Sequence, residues 1–169
     1  IKSEISKINI FDTGCGSGHY GVKLNNYASG INSYYGIDSV KYPEWKKLEK
    51  FEDYIKVAKV SSFDLSKNIP KGINFFMSQS AIEHFNDDLD YFDQISKYIS
   101  KTKLNTIQIH LFPTPPSLWL YLHHGIRQYN MKAVKKIINL FSKNNSYAVI
   151  YPLGGINSFK YHFKNITIP

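Results

Sequence analysis

An apolar stretch, Ile8 to Phe11, runs into Asp12 and then into glycines at alternate positions, Gly14, Gly16 and Gly18. That order constrains the fold more than any other feature of the chain. It reads as a first strand, a tight turn and the start of a helix, the opening of an α/β unit. Glycines at this spacing let the backbone turn sharply and approach a ligand that any Cβ would hold away. A dinucleotide site uses the same turn to seat a pyrophosphate on a helix N-terminus. A carboxylate at the mouth of the turn opposes that anion. It favours a ligand carrying an ammonium, or a sulfonium next to an amino acid.

The rest of the chain alternates strand and helix. Strands are expected at Ile8–Phe11, Ser33–Ile37, Tyr54–Val60, Ile73–Ser78 and Asn105–Phe112, and helices at Gly18–Ala28, Glu44–Lys50, Asp87–Ser100 and Met131–Ser142. Tyr147–Tyr151 and Asn165–Ile168 are candidates for a late strand pair. In the third helix Leu89, Phe92, Ile95, Tyr98 and Ile99 recur at helical spacing, as core packing requires. Short strands alternating with helices imply an α/β fold, Rossmann-like and doubly wound around a mainly parallel sheet. Ligands of such sheets lie beyond the carboxyl ends of the strands, where the motifs below fall.

With 169 residues and 43% hydrophobic content, the chain fits one domain, residues 1–169, with an adequate core. No run of eighteen apolar residues is present, so no membrane-spanning segment is expected, and no signal peptide is visible in the residues before the first strand. One cysteine, Cys15, cannot form an internal disulfide, which fits a reducing cytoplasm. Cys15 reads as filler in the glycine turn rather than as a nucleophile. The net charge of +8 invites a nucleic-acid partner, but of the 21 basic residues only Arg127 is arginine. Arginine does most bidentate phosphate and base readout, so dispersed, solvated lysines are the better reading and no nucleic-acid partner is expected.

The run Asp12-x-Gly14-x-Gly16-x-Gly18 resembles motif I of the class I S-adenosylmethionine (SAM)-dependent methyltransferases. The resemblance implies SAM as cofactor, with Asp12, Gly14, Cys15, Gly16 and Gly18 around it. The second strand ends at Asp38-Ser39, where an acid can accept from both ribose hydroxyls of an adenosine. Asp38 does not separate SAM from NAD, and Gly16-x-Gly18-x-x-Gly21 also satisfies the dinucleotide fingerprint. Asp12 and the third alternate glycine favour SAM. After the third strand, Phe63 and Asp64 resemble the adenine-contacting position of methyltransferases, although a turn cap explains Asp64 equally well.

The fourth strand leads through Ser78-Gln79-Ser80-Ala81-Ile82-Glu83-His84 to Asp87-Asp88. This resembles the small-residue, apolar, Glu-His segment of methyltransferases of small molecules and sugars. The resemblance implies Gln79 and Ser80 beside the methionine moiety, Ser78 among the cofactor-binding residues and His84 near the methyl group. The Asn/Asp-Pro-Pro-aromatic signature of enzymes that methylate exocyclic base amines is lacking. The fifth strand carries His110 and ends in Pro113-Thr114-Pro115-Pro116, which halt it. An aromatic stretch follows, with His123, His124, Arg127 and Tyr129. Its His-Gly-x-Arg-Gln-Tyr run resembles an insert of methyltransferases from bacterial capsule and surface-polysaccharide clusters. Physically, the stretch suits a phosphate or phosphoramidate oxygen or sugar hydroxyls, or it is an amphipathic helix with solvated polar residues. No third ligand stands at metal-binding spacing near the paired histidines, so no metal is expected.

Methyl transfer from a sulfonium is an in-line displacement in which the protein mainly aligns donor and acceptor. A sugar hydroxyl benefits from a base near neutrality, for which His84 and His110 are the candidates. An anionic oxygen needs only neutralising donors. The sequence therefore predicts a cytoplasmic O-methyltransferase acting on a sugar or a phosphate or phosphoramidate group in capsule or surface-polysaccharide biosynthesis. An NAD(P)-dependent oxidoreductase, a methyltransferase-fold binding protein without activity, and an RNA methyltransferase are the alternatives. The helix that usually precedes the first strand of this family is missing from the start, so the expected fold is truncated there. An open pocket side would weaken SAM binding or be closed by a homodimer.

Overall fold

In the computed structural model, which describes residues 7–60, 65–115 and 127–167, five parallel strands form one sheet in the order β3-β2-β1-β4-β5. β1 is Ile8–Thr13, β2 Ile31–Asp38, β3 Ile55–Lys59, β4 Phe75–Gln79 and β5 Ile107–Leu111. Helices α1 (His19–Tyr27), α2 (Leu65–Asn68), α3 (Asp88–Thr102), α4 (Met131–Leu140) and α5 (Ile156–His162) alternate with or follow them. The chain order reverses at β1, which pairs with β2 on one side and β4 on the other. That reversal is the topological switch point, and a ligand crevice opens there in folds of this kind.

The two sheet faces bury different side chains because residues alternate along each strand. Phe11 and Phe76 point to one face and meet Tyr91, Phe92 and Ile95 of α3 and Val134 and Ile137 of α4. Ile10, Tyr34 and Ile55 point to the other, which Trp45 and Leu48 cover with α1 alongside. Trp45 and Leu48 belong to Pro43–Phe51, expected as an α-helix and found as a 3-10 helix with Pro43 in its first turn. On this second face the cover stops short. Ile109 is 50% exposed and Leu111 36% exposed on the sheet face shared with Met77.

α3 starts where Asp87 caps it by accepting from the Asp90 backbone N–H at 2.9 Å, and Asp88 and Asp90 complement the helix dipole in its first turn. Within α3, Leu89 is exposed at 36% and Tyr91 takes a core position instead. The late strand pair does not form. Residues 147–151 are irregular, and Phe163–Thr167 is a helical turn. A two-stranded ribbon is marginal without a sheet to join. Tyr147, Val149 and Tyr151 are largely exposed, and among the described residues no strand pairs with them.

Candidate functional site

At the switch point, a cavity of about 290 Å³ is lined by Asp12, Gly14, Cys15, Gly16, Ser17, His19, Tyr20, Gln79 and Ser80. The turn that forms it is built from left-handed backbone, with φ of 75° at Gly14 and 54° at Gly16. The Gly14 and Cys15 N–H groups both donate to the Ile37 carbonyl, at 2.8 and 3.0 Å, which ties the turn to the end of β2. A Cβ on Gly14 would stand 2.3 Å from the Ala81 Cβ, whereas one on Gly16 would meet nothing within 4 Å. Gly14 therefore serves packing, and Gly16 keeps a space open.

Asp12 lies at the base of the cavity, 2% exposed, and accepts a short hydrogen bond from the Tyr34 hydroxyl. Burial pushes its carboxyl up to about 6, the Tyr34 hydrogen bond opposing and the nearby Asp38 charge adding to the rise. Asp38 is committed to the turn, its oxygens accepting from the Gly16 N–H at 2.9 Å and the Val40 N–H at 3.0 Å. Each carboxylate oxygen has two acceptor sites, so one on each remains for a further donor. Ser39 beside it is exposed. Cys15 is buried against Gly36, and burial holds its thiol protonated, well above the ordinary range. Gly18, the third alternate glycine, caps α1 with φ 76°.

Gln79 and Ser80 form the opposite wall. Ser80 also has left-handed backbone, φ 48°, and its N–H donates to the Leu111 carbonyl at 3.0 Å. Ser78 points through the other face of the sheet. It is 1% exposed, with its hydroxyl 2.8 Å from His110 Nδ1. The His110 ring stands edge-on to Tyr91 and Phe92, and burial lowers its basicity to about 3. Neither Ser78 nor His110 is a cavity residue, and at neutral pH His110 is an uncharged ring packed below α3. His84 is exposed in the 3-10 turn after β4 and does not line the cavity either.

Arg127 and Tyr129, the two candidate residues of the aromatic stretch that are described, are occupied within the protein. Arg127 donates through Nη1 to Asp88 and through Nη2 to the Asn86 carbonyl at 2.8 Å. Tyr129, 2% exposed, donates to Asp88 at 2.8 Å. Together they form a strut that fixes the chain against the start of α3. Phe63, Asp64, His123 and His124 lie outside the described residues. Among the described residues, no group of three or more His, Cys, Asp or Glu side chains stands together to hold a metal ion, and no helix is long and apolar enough to cross a membrane.

Ser17, His19 and Tyr20 line the cavity without having been singled out from sequence, and two further residues that support the site were also missed. Trp45 donates through Nε1 to the Gly16 carbonyl at 2.8 Å, and Tyr34 reaches Asp12 from the neighbouring strand. The apolar spacing of Trp45 and Leu48 in the stretch after Asp38 was the available signal for the first. For Tyr34 the strand pattern announces only burial.

Solved structures share this architecture. The small RNA methyltransferase HEN1 aligns over 91% of this chain with a TM-score of 0.64 at 15% identity, and the matched part is 22% of that chain. The plantazolicin methyltransferase BamL, solved with S-adenosylhomocysteine (SAH) and a triazolic analogue, aligns over 81% with a TM-score of 0.59 at 16% identity. The YcgJ protein of Bacillus subtilis aligns over 93% with a TM-score of 0.56 at 14% identity. The chain spans 71% of YcgJ and 55% of BamL. No family model and no curated protein matches the sequence. At these identities the likeness establishes the fold, a Rossmann-like parallel sheet of the kind found in SAM-dependent methyltransferases.

Proposed function

We propose that this chain is a SAM-dependent methyltransferase domain. The observation that carries the reading is the carboxylate of Asp12 at the base of a glycine-walled cavity, placed for a cation and against a pyrophosphate. The donor set fits the cofactor. Asp12 would take the ammonium of the methionine moiety, Gly16 leaves room for the chain of the ligand, and the spare acceptor sites of Asp38 suit ribose hydroxyls. At 290 Å³ the cavity is at the low end of small-molecule sites, which run from about 300 Å³ upward. It suits the amino-acid end of the cofactor, with the nucleoside over Asp38.

When bound, SAM supplies an activated methyl group. The residues of the chain bind the donor, orient it and hold it still, which is where most of the rate enhancement of such a displacement arises. For the acceptor we favour an oxygen of a sugar, or of a phosphate or phosphoramidate group in surface polysaccharide. This finer reading rests on the resemblance of the segment containing His123 and His124, with His84, exposed in the turn after β4, as the candidate base.

The test is calorimetric titration of the protein with SAH, NAD and NADH, comparing wild type with Asp38→Ala. The expected result is micromolar binding of SAH alone, weakened at least tenfold in the variant. Binding of NADH in place of SAH would overturn the reading. Acceptor class is then tested by transfer of labelled methyl groups to sugar phosphates and to polysaccharide fragments.

A further inference from the structure

We propose that Tyr34 is the positioning residue of the cofactor site, holding the Asp12 carboxylate ionised and aimed into the cavity. The inference rests on the methyltransferase reading above and deepens it. Tyr34 lies on β2 opposite Ile10, is 1% exposed, and donates its hydroxyl proton to Asp12 Oδ2. Its ring has one place to be. A Cβ on Gly21 of α1 would come within 2.8 Å of the Tyr34 Cδ1, and one on Gly36 within 3.1 Å of Cε1. Two glycines from different elements are thus hollowed around one ring, and the phenol leaves that slot at the cavity floor.

The consequence is directional. The hydroxyl occupies one lone pair of Oδ2 and leaves Oδ1 for a cationic group. A hydrogen bond to the charged form also favours that form. The other ionisable groups around Asp12 are Asp38 and Cys15 beside the turn, Tyr91 from α3 and His19 of the cavity wall. Of these, Asp38 works against ionisation, and among the described residues Tyr34 alone donates a side-chain hydrogen bond to Asp12. Removing the phenol oxygen therefore makes cofactor affinity more sensitive to acid, whereas losing a mere packing contact would weaken it evenly at all pH.

The experiment measures the Kd for SAH between pH 5.5 and 8.5 in wild type and Tyr34→Phe. Expected is near-equal affinity at pH 8.5, about threefold weaker binding by the variant at pH 6.5 and about eightfold weaker binding at pH 5.5, as a one-unit upward move of an acid limb near 6 requires. A Kd ratio constant across the range would overturn the role of Tyr34 while leaving the methyltransferase reading in place. Wild type failing to bind SAH at every pH would overturn both. Should Tyr34→Phe not fold, the wild-type protein still decides the matter. The Tyr34 ring resonances must then shift with the titration of Asp12 in NMR spectra, and resonances blind to that titration would reject the proposal.

Discussion

Trp45 and Gly16 are joined by a hydrogen bond from the indole N–H to the glycine carbonyl, 2.8 Å long, so a 3-10 helix after β2 reaches back to steady the turn after β1. Trp45→Phe keeps most of the buried surface and removes this bond. The bond is half-buried, so losing its donor is expected to cost about 1 kcal/mol. We expect Tm to fall accordingly and the Kd for SAH to rise about fivefold or more, measured by thermal unfolding and calorimetry. An unchanged Kd beside a lowered Tm would show that Trp45 serves only packing.

Asp12 is a site residue that costs stability. Its carboxyl rises from 3.8 in the unfolded chain to about 6 in the fold. Between those values the folded state binds more protons than the unfolded one, so stability falls as pH rises through this window and stays low above it. Asp12→Asn retains an oxygen for the Tyr34 hydroxyl without the charge. At pH 7 it is expected to raise stability by about 1–3 kcal/mol, given that one unit is worth 1.36 kcal/mol. The same variant is expected to abolish SAH binding. Denaturant melts at pH 7 and pH 4 check the sign, since the gain must shrink at the lower pH.

Gly14 and Gly16 are expected to behave differently when given a methyl group. Gly14→Ala drives a Cβ into Ala81 and should lower the yield of folded protein sharply. Gly16→Ala meets open space, so the fold bears only backbone strain of about 1–2 kcal/mol. It should still lose SAH binding at least tenfold, because the methyl enters the cavity. Circular dichroism and calorimetry on the pair separate the two effects.

Arg127 and Asp88 are 29% and 11% exposed as side chains, and the guanidinium serves two acceptors at once. Lysine cannot reproduce that two-pronged geometry. Arg127→Lys is expected to cost about 1–2 kcal/mol, or several degrees in Tm. The Kd for SAH should move less than about threefold, since neither residue lines the cavity. A cofactor defect as large as that of Gly16→Ala would place the strut inside the site.

The sequence carried the order of elements well, because strands announce themselves by apolar runs and the glycine turn by its spacing. All five expected sheet strands are present, with ends displaced by one or two residues. The direction in which each side chain faces was less legible. Ser78 and Gln79 are adjacent in sequence, yet the pleat sends one to His110 and the other to the cavity. Arg127 stood out as the lone arginine, but its pairing with Asp88, thirty-nine residues away, is a fact of tertiary structure. Tyr34 and Trp45 escaped notice because what they do depends on a neighbouring strand and a neighbouring turn. The late strand pair failed for a related reason, since β-rich composition makes a strand only where an edge receives it.

Ser80 shapes the cavity wall at a cost to the backbone. A side-chain-bearing residue held at φ 48° is a place where glycine would relieve strain of about 1 kcal/mol. Glycine would ease the backbone but strip the hydroxymethyl group from the wall that Ser80 and Gln79 form, so comfort of the chain and shape of the cavity pull in opposite directions at this single position.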